Sequence, residues 1–156
     1  MSDKPKIKIL DNPELREELL GLVKITEHID LANWAISSAK HVLSLSTEKI
    51  NSEVVDFGFE TNKLWQENKA TVHQVRQAGF KVHEEARKCK TEIAKNILRT
   101  VGQAVAVGHM KEHAMVCSDY AIKTVQLCSS NDLNKITAER EWQINELLKH
   151  NIRTTK

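Results

Sequence analysis

The chain has 156 residues, of which 40% are hydrophobic and 28% charged, and its formal net charge is +2. This length favours a single domain, which can bury enough apolar surface to fold without a disulfide or a structural metal. The 23 basic residues are nearly balanced by 21 acidic ones, which argues against a dedicated nucleic-acid-binding protein. Only 5 glycines and 2 prolines are present, too few for the turns of a sheet-rich domain, so the composition favours long helices.

Cysteine usage and hydropathy predict a cytoplasmic protein. The three cysteines, Cys89, Cys117 and Cys128, are odd in number and widely spaced, which is not typical of a disulfide framework. Residues 1–10 lack the apolar stretch of a signal peptide. No segment approaches the roughly 20 apolar residues of a membrane-spanning helix, so we predict no membrane association.

In chain order, the sequence first predicts an arm and a helix with a marked start. Residues 1–11 are predicted to form an extended N-terminal arm, and residues 12–156 a single all-helical domain. Asn12 can accept hydrogen bonds from the unpaired N–H groups of a helix start, and Pro13 at the first helical position loses no hydrogen bond. Apolar residues then recur at helical spacing, which indicates one buried stripe.

The same periodicity predicts further helices along the rest of the chain. Thr71 and Gln74 fit a capping box, in which each side chain binds the backbone N–H of the other residue. A helix can start at Thr91, but no proline or glycine separates it from the preceding one, so a single bent helix stays an alternative. The predicted ranges are about 30–45, 52–68, 112–128 and 133–150, with one or two helices across 72–107.

One predicted helix is suited to the centre of the fold. Residues 94–107 are small or apolar on every side, and a helix of this kind is buried all round. Gly102 and the neighbouring alanines allow other helices to approach closely, and Gly108 is predicted to terminate the helix. We therefore predict an all-α fold of about seven helices, in a compact antiparallel bundle or a short stack of helical pairs around this central helix.

The periodicity also predicts which large side chains face the core. Leu45, Val72 and Leu148 extend apolar stripes and are expected to lie inward. Phe57 and Phe59 cannot both lie on the apolar side of their helix, so one of them should face another element. The tryptophans are expected in the core, with partner-interface anchors as the alternative.

Residues 109–113 carry the most specific catalytic pattern in the chain. His109, Glu112 and His113 fit the inverted H-x-x-E-H zinc-protease signature. On one helix, the two imidazoles would share a face and could bind a metal ion, with the carboxylate beside them as a base. The sequence offers no evident third ligand, and Gly108 indicates that His109 precedes the helix. We therefore predict no enzyme and no cofactor, and keep a metal-dependent enzyme as an alternative hypothesis.

Two other features allow a functional interpretation. Cys117 lies four residues after His113, but it falls on a predicted buried stripe, where cysteine behaves as a small hydrophobic residue. Residues 63–99 contain a basic surplus that is densest at 87–90. This surplus is typical of a solvated helix face, and a nucleic-acid accessory role is the second alternative hypothesis.

The last third of the chain contains an ordered set of short motifs. They are Arg99-Thr100-Val101-Gly102-Gln103-Ala104-Val105-Ala106, Gly108-His109-Met110, His113-Ala114, Tyr120-Ala121-Ile122-Lys123 and Glu139-Arg140-Glu141-Trp142-Gln143. In this order they resemble the Imm5-like immunity proteins of bacterial polymorphic toxin systems. Trp34-Ala35 and Trp65 also match the pattern of that family, whereas Cys117 and Ser118 replace smaller residues.

The resemblance implies a non-catalytic protein that binds a cognate toxin and covers its active site or substrate path. The candidates for contact are the polar motif positions His109, His113, Lys123 and Arg140. For Arg140 the alternative is a buried ion pair in the neighbourhood of Glu139 or Glu141, and for the histidines it is the capping of helix ends. The resemblance implies no catalytic residues, and the oligomeric state stays unpredicted.

Overall fold

A computed structural model describes residues 3–155, with side chains described for residues 3–151; residues 1 and 2 of the predicted arm and residue 156 lie outside the described residues. The described part of the chain contains seven α-helices and no strand, which confirms the predicted all-α fold. The helices are α1 (Pro13–Lys24), α2 (His28–Leu43), α3 (Ser52–Gln66), α4 (Val72–Lys88), α5 (Glu92–Ala106), α6 (His113–Cys128) and α7 (Leu133–Thr155). None of these helices combines the length and the apolar character that crossing a bilayer requires.

Local capping starts two of the helices as predicted. The Asn12 side chain accepts a hydrogen bond from the backbone N–H of Leu15 at 3.1 Å. Thr71 and Gln74 form both bonds of the capping box, at 3.1 and 2.8 Å. Each of these bonds satisfies an N–H group that has no partner within the helix.

The chain breaks between α4 and α5, so the alternative of one bent helix is wrong. The Thr91 hydroxyl accepts a hydrogen bond from the backbone N–H of Ala94 at 3.1 Å. The carboxylate of Glu48, from the linker between α2 and α3, accepts from the backbone N–H groups of Lys90 at 3.0 Å and Thr91 at 2.9 Å. These backbone hydrogen bonds hold the pKa of Glu48 below its ordinary value. A distant side chain therefore stabilises the break.

The predicted central helix is α5, which packs against α2, α3, α4 and α6. It lies close to α4 because glycines face the contact. A Cβ atom at Gly102 would lie 2.5 Å from Cε1 of His83, and one at Gly79 would lie 3.6 Å from the Gly102 carbonyl oxygen. The absence of a side chain at Gly102 therefore makes room for the His83 ring.

Gly108 does not have the predicted role of helix terminator. The helix α5 ends at Ala106, and the φ angle of Gly108 is not positive, so no left-handed cap forms there. A Cβ atom at Gly108 would lie 2.7 Å from Cγ1 of Val75. Glycine is required at this position because α4 packs closely against the segment that follows α5.

The predicted orientation of the apolar side chains is right in the middle of helices and wrong at their ends. Phe59 is buried and Phe57 faces solvent, as expected for two positions that cannot share a side. Leu45, Val72 and Leu148 are exposed, in contrast to the prediction. Each lies near or beyond the end of a predicted apolar stripe, where helical periodicity continues but packing against neighbouring helices does not cover the side chain.

The segment before α1 lies along α6. In residues 3–12, the Lys8 carbonyl accepts a hydrogen bond from Nζ of Lys123 at 3.1 Å, and the Leu10 N–H donates to Oε1 of Gln126 at 2.9 Å. This segment forms neither helix nor strand. The division of the chain into an arm and one helical domain stays a prediction.

Candidate functional site

The two motif histidines meet where the α5–α6 linker reaches α6. His109 lies in this linker and His113 is the first residue of α6. Their ring centroids are 4.7 Å apart in an edge-to-face arrangement. Nδ1 of His113 donates a hydrogen bond to Oε1 of Gln103 on α5 at 2.7 Å. Because Nδ1 carries the proton in this bond, Nε2 of the neutral His113 ring is an acceptor.

A third histidine, which the sequence analysis did not select, extends this group along α5. Arg99 donates from Nη1 to Nδ1 of His83 at 2.9 Å, and the His83 ring lies over Gly102. The only sequence signal for this contact was the glycine, whose missing side chain leaves room for a large neighbour. Together these side chains form the histidine cluster, which consists of His83, Arg99, Gln103, His109 and His113.

The environment of the histidine cluster disfavours protonation of its rings. Burial, assisted by the Arg99 guanidinium, lowers the pKa of His83 to about 4. Burial, assisted by the neighbouring His109, also lowers the pKa of His113 to about 4. The pKa of His109 is lowered by burial and by the positive charge of Arg76. At neutral pH the three rings are therefore uncharged and offer hydrogen bonds and ring surface rather than positive charge.

The geometry gives no support to the metal-dependent enzyme hypothesis. Catalytic zinc sites use three protein ligands. Although His109 and His113 lie side by side, Nδ1 of His113 is bound to Gln103, and within residues 3–151 no three His, Cys, Asp or Glu side chains are placed to hold a metal ion. Glu112 precedes α6 and makes no side-chain capping bond.

Cys117 lies in the core and lacks the properties of a nucleophile. Its thiol is fully buried and lies 3.5 Å from the backbone carbonyl oxygen of Ala35, to which it donates a hydrogen bond. Burial raises the pKa of the Cys117 thiol, so the thiolate does not form at neutral pH. The interpretation of this cysteine as a small core residue fits these surroundings.

Arg140 lies in a second polar group, which is mostly buried. Its side chain is 0% exposed, and Nη2 is paired with Asp11 at 2.8 Å and with Asp119 at 2.7 Å. Nη1 donates to Oε1 of Gln143 at 2.9 Å, and Arg16 pairs with Asp119 at 2.8 Å. Nη1 also donates to Oγ of Ser118 at 3.2 Å. Together these residues form the arginine network, which consists of Asp11, Arg16, Ser118, Asp119, Arg140 and Gln143.

The burial of Arg140 removes it from the surface that a docking partner could reach. The alternative of a buried ion pair describes its surroundings, but its partners are Asp11 and Asp119 rather than carboxylates near Glu139 or Glu141. Two guanidinium groups and two carboxylates balance in charge within the arginine network. Such an arrangement satisfies groups that would otherwise be costly to bury.

The remaining candidate, Lys123, lies elsewhere on α6. It is partly buried, and its Nζ donates to the Lys8 carbonyl. Ten residues separate it from His113, which corresponds to roughly 15 Å along a helix. The structure therefore brings His109 and His113 together and places Lys123 apart from them.

All three tryptophans contact other helices through polar or ring contacts, and Trp65 lies 4.9 Å from His28 between ring centroids. Trp34 is fully buried, and its Nε1 donates to the Gln143 carbonyl at 2.9 Å. Trp142 is partly buried and stacks on His41 with ring centroids 3.7 Å apart. Trp34 is therefore a core residue, as expected, and it joins α2 to the 139–143 motif on α7.

The basic surplus of residues 63–99 is distributed over three helices. Several of its cations are paired with acidic residues close to them in sequence, namely Lys69 with Glu67, Lys88 with Glu85 and Lys95 with Glu92. Others lie over aromatic rings, namely Arg76 over Phe80 and Lys81 over Phe57. These local partners are typical of a solvated helix face, and nothing in their arrangement favours a nucleic-acid accessory role.

Comparison with known proteins identifies the family. A family model described as "Imm-5 like putative immunity protein" matches residues 21–150, which include the whole histidine cluster and most of the arginine network. No curated protein and no solved structure is similar enough to the chain to count as a match. Because the family model spans well over half of the sequence, the chain belongs to the Imm-5-like immunity protein family.

Proposed function

We propose that this protein is a non-catalytic immunity protein of the bacterial cytoplasm, which neutralises a cognate toxin of a polymorphic toxin system by binding to it. The observation that carries the proposal is the family match over residues 21–150. The geometry is consistent with it, because the motif histidines lie at an accessible surface without the ligands or the nucleophile that a catalytic site needs.

The proposed contact surface is centred on the linker between α5 and α6. Met110 lies between the two motif histidines and is 50% exposed. An apolar anchor with polar groups around it is typical of the centre of a protein interface. His109 and His113 supply the neighbouring hydrogen-bonding groups, and Lys123 is kept as a contact further along α6. Arg140 is left out because it has no exposed surface.

The electrostatic state of the histidine cluster favours burial by a partner. A neutral imidazole loses less hydration energy than a charged one when it enters an interface. Because the pKa values of His83 and His113 are lowered to about 4, a toxin that covers these rings at neutral pH does not have to desolvate a charged imidazole. Inhibition would then be steric, with the rigid helical surface blocking the toxin's active site or substrate path.

The test begins with proteins encoded next to this gene. Each is produced with and without this chain in a bacterial host, and cell growth and direct binding by calorimetry are measured. We expect one neighbouring product to be toxic and to be neutralised through a complex with this chain. The proposal is wrong if every neighbouring product is harmless or stays toxic in the presence of the chain.

Variants of the contact surface then locate the interface. Met110→Asp and His113→Ala should each weaken toxin binding by about tenfold or more, as expected for residues near an interface centre. Lys135→Ala, an exposed position on α7, is the matched control and should bind like the parent chain. Equal affinity of all three variants would place the interface elsewhere.

A further inference from the structure

A cavity opens beside the histidine cluster, between the N-terminal segment, α1 and the start of α6. Its volume is about 430 Å³, within the range of ligand-binding pockets. The buried residues of its lining are the apolar Leu20 and Val23 from α1 and Met115 from α6, together with Asp119, whose carboxylate is paired with Arg16. Val116 and the exposed Met110 add further apolar surface. The cavity can therefore enclose an apolar side chain.

Positive charge surrounds this apolar lining. Five cationic side chains and three acidic ones line the cavity, which gives it an excess of two positive charges. Two of the cations are neutralised, because Arg16 pairs with Asp119 at 2.8 Å and Lys24 pairs with Asp3 at 3.3 Å. The cations are Lys4, Lys6, Arg16, Lys24 and Lys111, and the acidic residues are Asp3, Glu112 and Asp119.

We propose that this cavity receives an acidic segment of the partner protein, in which an aspartate or glutamate is followed or preceded by an apolar residue. The apolar side chain would be buried against Leu20, Val23 and Met115, and the carboxylate would lie near Lys6 and Lys111. Charge complementarity of this kind orients a partner and speeds its encounter. The inference rests on the proposed immunity function and adds the docking point and the chemistry of the docking segment.

The position of the cavity connects it to the proposed contact surface. Met110, Lys111 and Glu112 line the cavity and lie between His109 and His113 in the chain. A single segment of the partner can therefore enter the cavity and also contact the motif histidines. The combination of an apolar interior with cations around it matches an amphipathic acidic peptide, which needs both.

A nucleic-acid strand matches this lining less well than an acidic peptide does. Strands without sequence preference are bound by stacking of the bases on aromatic side chains along a basic groove. The residues that line the cavity include no aromatic side chain, and their apolar members are aliphatic or thioether groups. Phosphate binding would use the lysines but would leave the apolar interior uncovered.

The methionines give a direct readout of occupancy, since Met110 and Met115 both line the cavity. The full chain is labelled with ¹³C at the methionine methyl groups, and the two signals are assigned with Met→Leu variants. The protein is titrated with acetyl-Leu-Glu-Leu-amide, and acetyl-Leu-Lys-Leu-amide is the control peptide. We expect saturable shifts of both methyl signals with the acidic peptide and none with the basic one.

Charge-reversal variants test the role of the lysines. The double variant Lys6→Glu, Lys111→Glu should weaken binding of the acidic peptide by about tenfold or more, because two attractive contacts become repulsive. Lys135→Glu is the matched control, since this lysine is exposed and does not line the cavity. Both altered lysines are themselves exposed, so the double variant should keep the thermal midpoint of the control. If the thermal midpoint of the double variant is lower, peptide affinity is compared instead between the control and the single variants Lys6→Glu and Lys111→Glu.

Several results would overturn the cavity proposal. The first two are the absence of methyl shifts with the acidic peptide and equal shifts with both peptides. The other two are unchanged affinity of the charge-reversal variants for the acidic peptide, and shifts produced by inorganic phosphate or a short DNA strand but not by the peptide.

Toxin binding separates the two proposals. If a toxin is neutralised equally well by the Lys6→Glu, Lys111→Glu variant, the cavity proposal fails and the immunity function stands. If the acidic peptide binds but no neighbouring toxin is neutralised, the immunity function fails instead.

Discussion

The histidine cluster and the arginine network each contain residues of the family motifs, yet they differ in burial and in how fully their polar groups are satisfied. Arg140 is 0% exposed, and its guanidinium is bound by Asp11, Asp119 and Gln143. His113 is partly exposed and has one ring nitrogen bound to Gln103. A polar motif residue therefore stabilises the fold where neighbouring side chains of this chain satisfy all its polar groups. Where they do not, the residue is available to bind another protein.

The two regions also treat charge differently. In the arginine network two guanidinium groups face two carboxylates at hydrogen-bonding distance. In the histidine cluster burial and the nearby Arg99 favour neutral rings. The contrast predicts that substitutions in the arginine network mainly reduce stability, whereas substitutions in the histidine cluster mainly affect binding and pH dependence.

The largest effect is expected from Arg140→Met, which removes the arginine partner of Asp11 and leaves Asp119 paired with Arg16 alone. Removing one member of a buried ion-pair network destabilises a protein by about 3–5 kcal/mol, because the remaining charge stays buried. Urea unfolding followed by circular dichroism measures the loss. Lys135→Met, an exposed position on the same helix, is the control and should change the free energy of unfolding by at most about 0.5 kcal/mol.

A loss below about 1 kcal/mol for Arg140→Met would contradict the structural role assigned to the arginine network. Arg140→Lys sharpens the test. Lysine keeps the positive charge but lacks the planar fork of donors that contacts two carboxylates at once, so this variant should fall between Arg140→Met and the parent chain.

A smaller effect is expected from Gly102→Ala, at the position where the His83 ring of the histidine cluster lies against α5. The new Cβ would lie 2.5 Å from Cε1 of His83, so the ring must move and its contact with Arg99 is disturbed. Overpacking of this kind costs about 1–3 kcal/mol. In contrast, Gly21 on α1 has open space around its Cβ position, and Gly21→Ala should stabilise the protein by up to about 1 kcal/mol through helix propensity.

Thermal unfolding of Gly102→Ala and Gly21→Ala checks this pair, and opposite signs are expected. If both substitutions stabilise the protein, the His83 ring is not held against α5 as described. An unchanged NMR signal of the His83 ring in Gly102→Ala would lead to the same conclusion.

A gradual effect, smaller per pH unit than the loss expected from Arg140→Met, is expected from pH. The pKa of His83 is about 4 in the folded state and has its ordinary value of 6.5 in the unfolded chain, so the unfolded state binds the proton first as the pH falls. The stability that depends on the neutral ring is present above pH 6.5 and is lost between pH 6.5 and about 4. The slope is at most about 1.4 kcal/mol per pH unit for one histidine, and less here because the ring is partly exposed.

Unfolding free energies measured at several pH values check this slope, with His83→Gln as the comparison. The variant should show a shallower decline over this range, since its side chain does not titrate. The charged and titratable groups that act on His83 are Arg99, Arg87 and His113, and they are unchanged in the variant. Parallel curves for the two proteins would show that His83 titrates at its ordinary pKa.

The candidate site could be predicted in part. His109 and His113 were found because they are close in the sequence, and their contact needs only one turn of chain. His83 was missed because it lies on α4, and the apolar periodicity of that helix does not show which residue faces Gly102. The cavity could not be predicted either, since its walls come from the N-terminal segment, α1 and α6.

The sequence by itself determined the helical class, the central position of α5 and the helix starts at Asn12 and Thr71. These features could be predicted because the spacing of apolar residues is a pattern within one helix, and because each of these caps binds a backbone group three residues away. Only the tertiary structure decided the break before α5, which Glu48 stabilises from 42 residues away, and the burial of Arg140, whose partner Asp11 lies 129 residues away. Such contacts depend on how the helices pack, because a charged side chain can be buried only where packing brings an opposite charge to it.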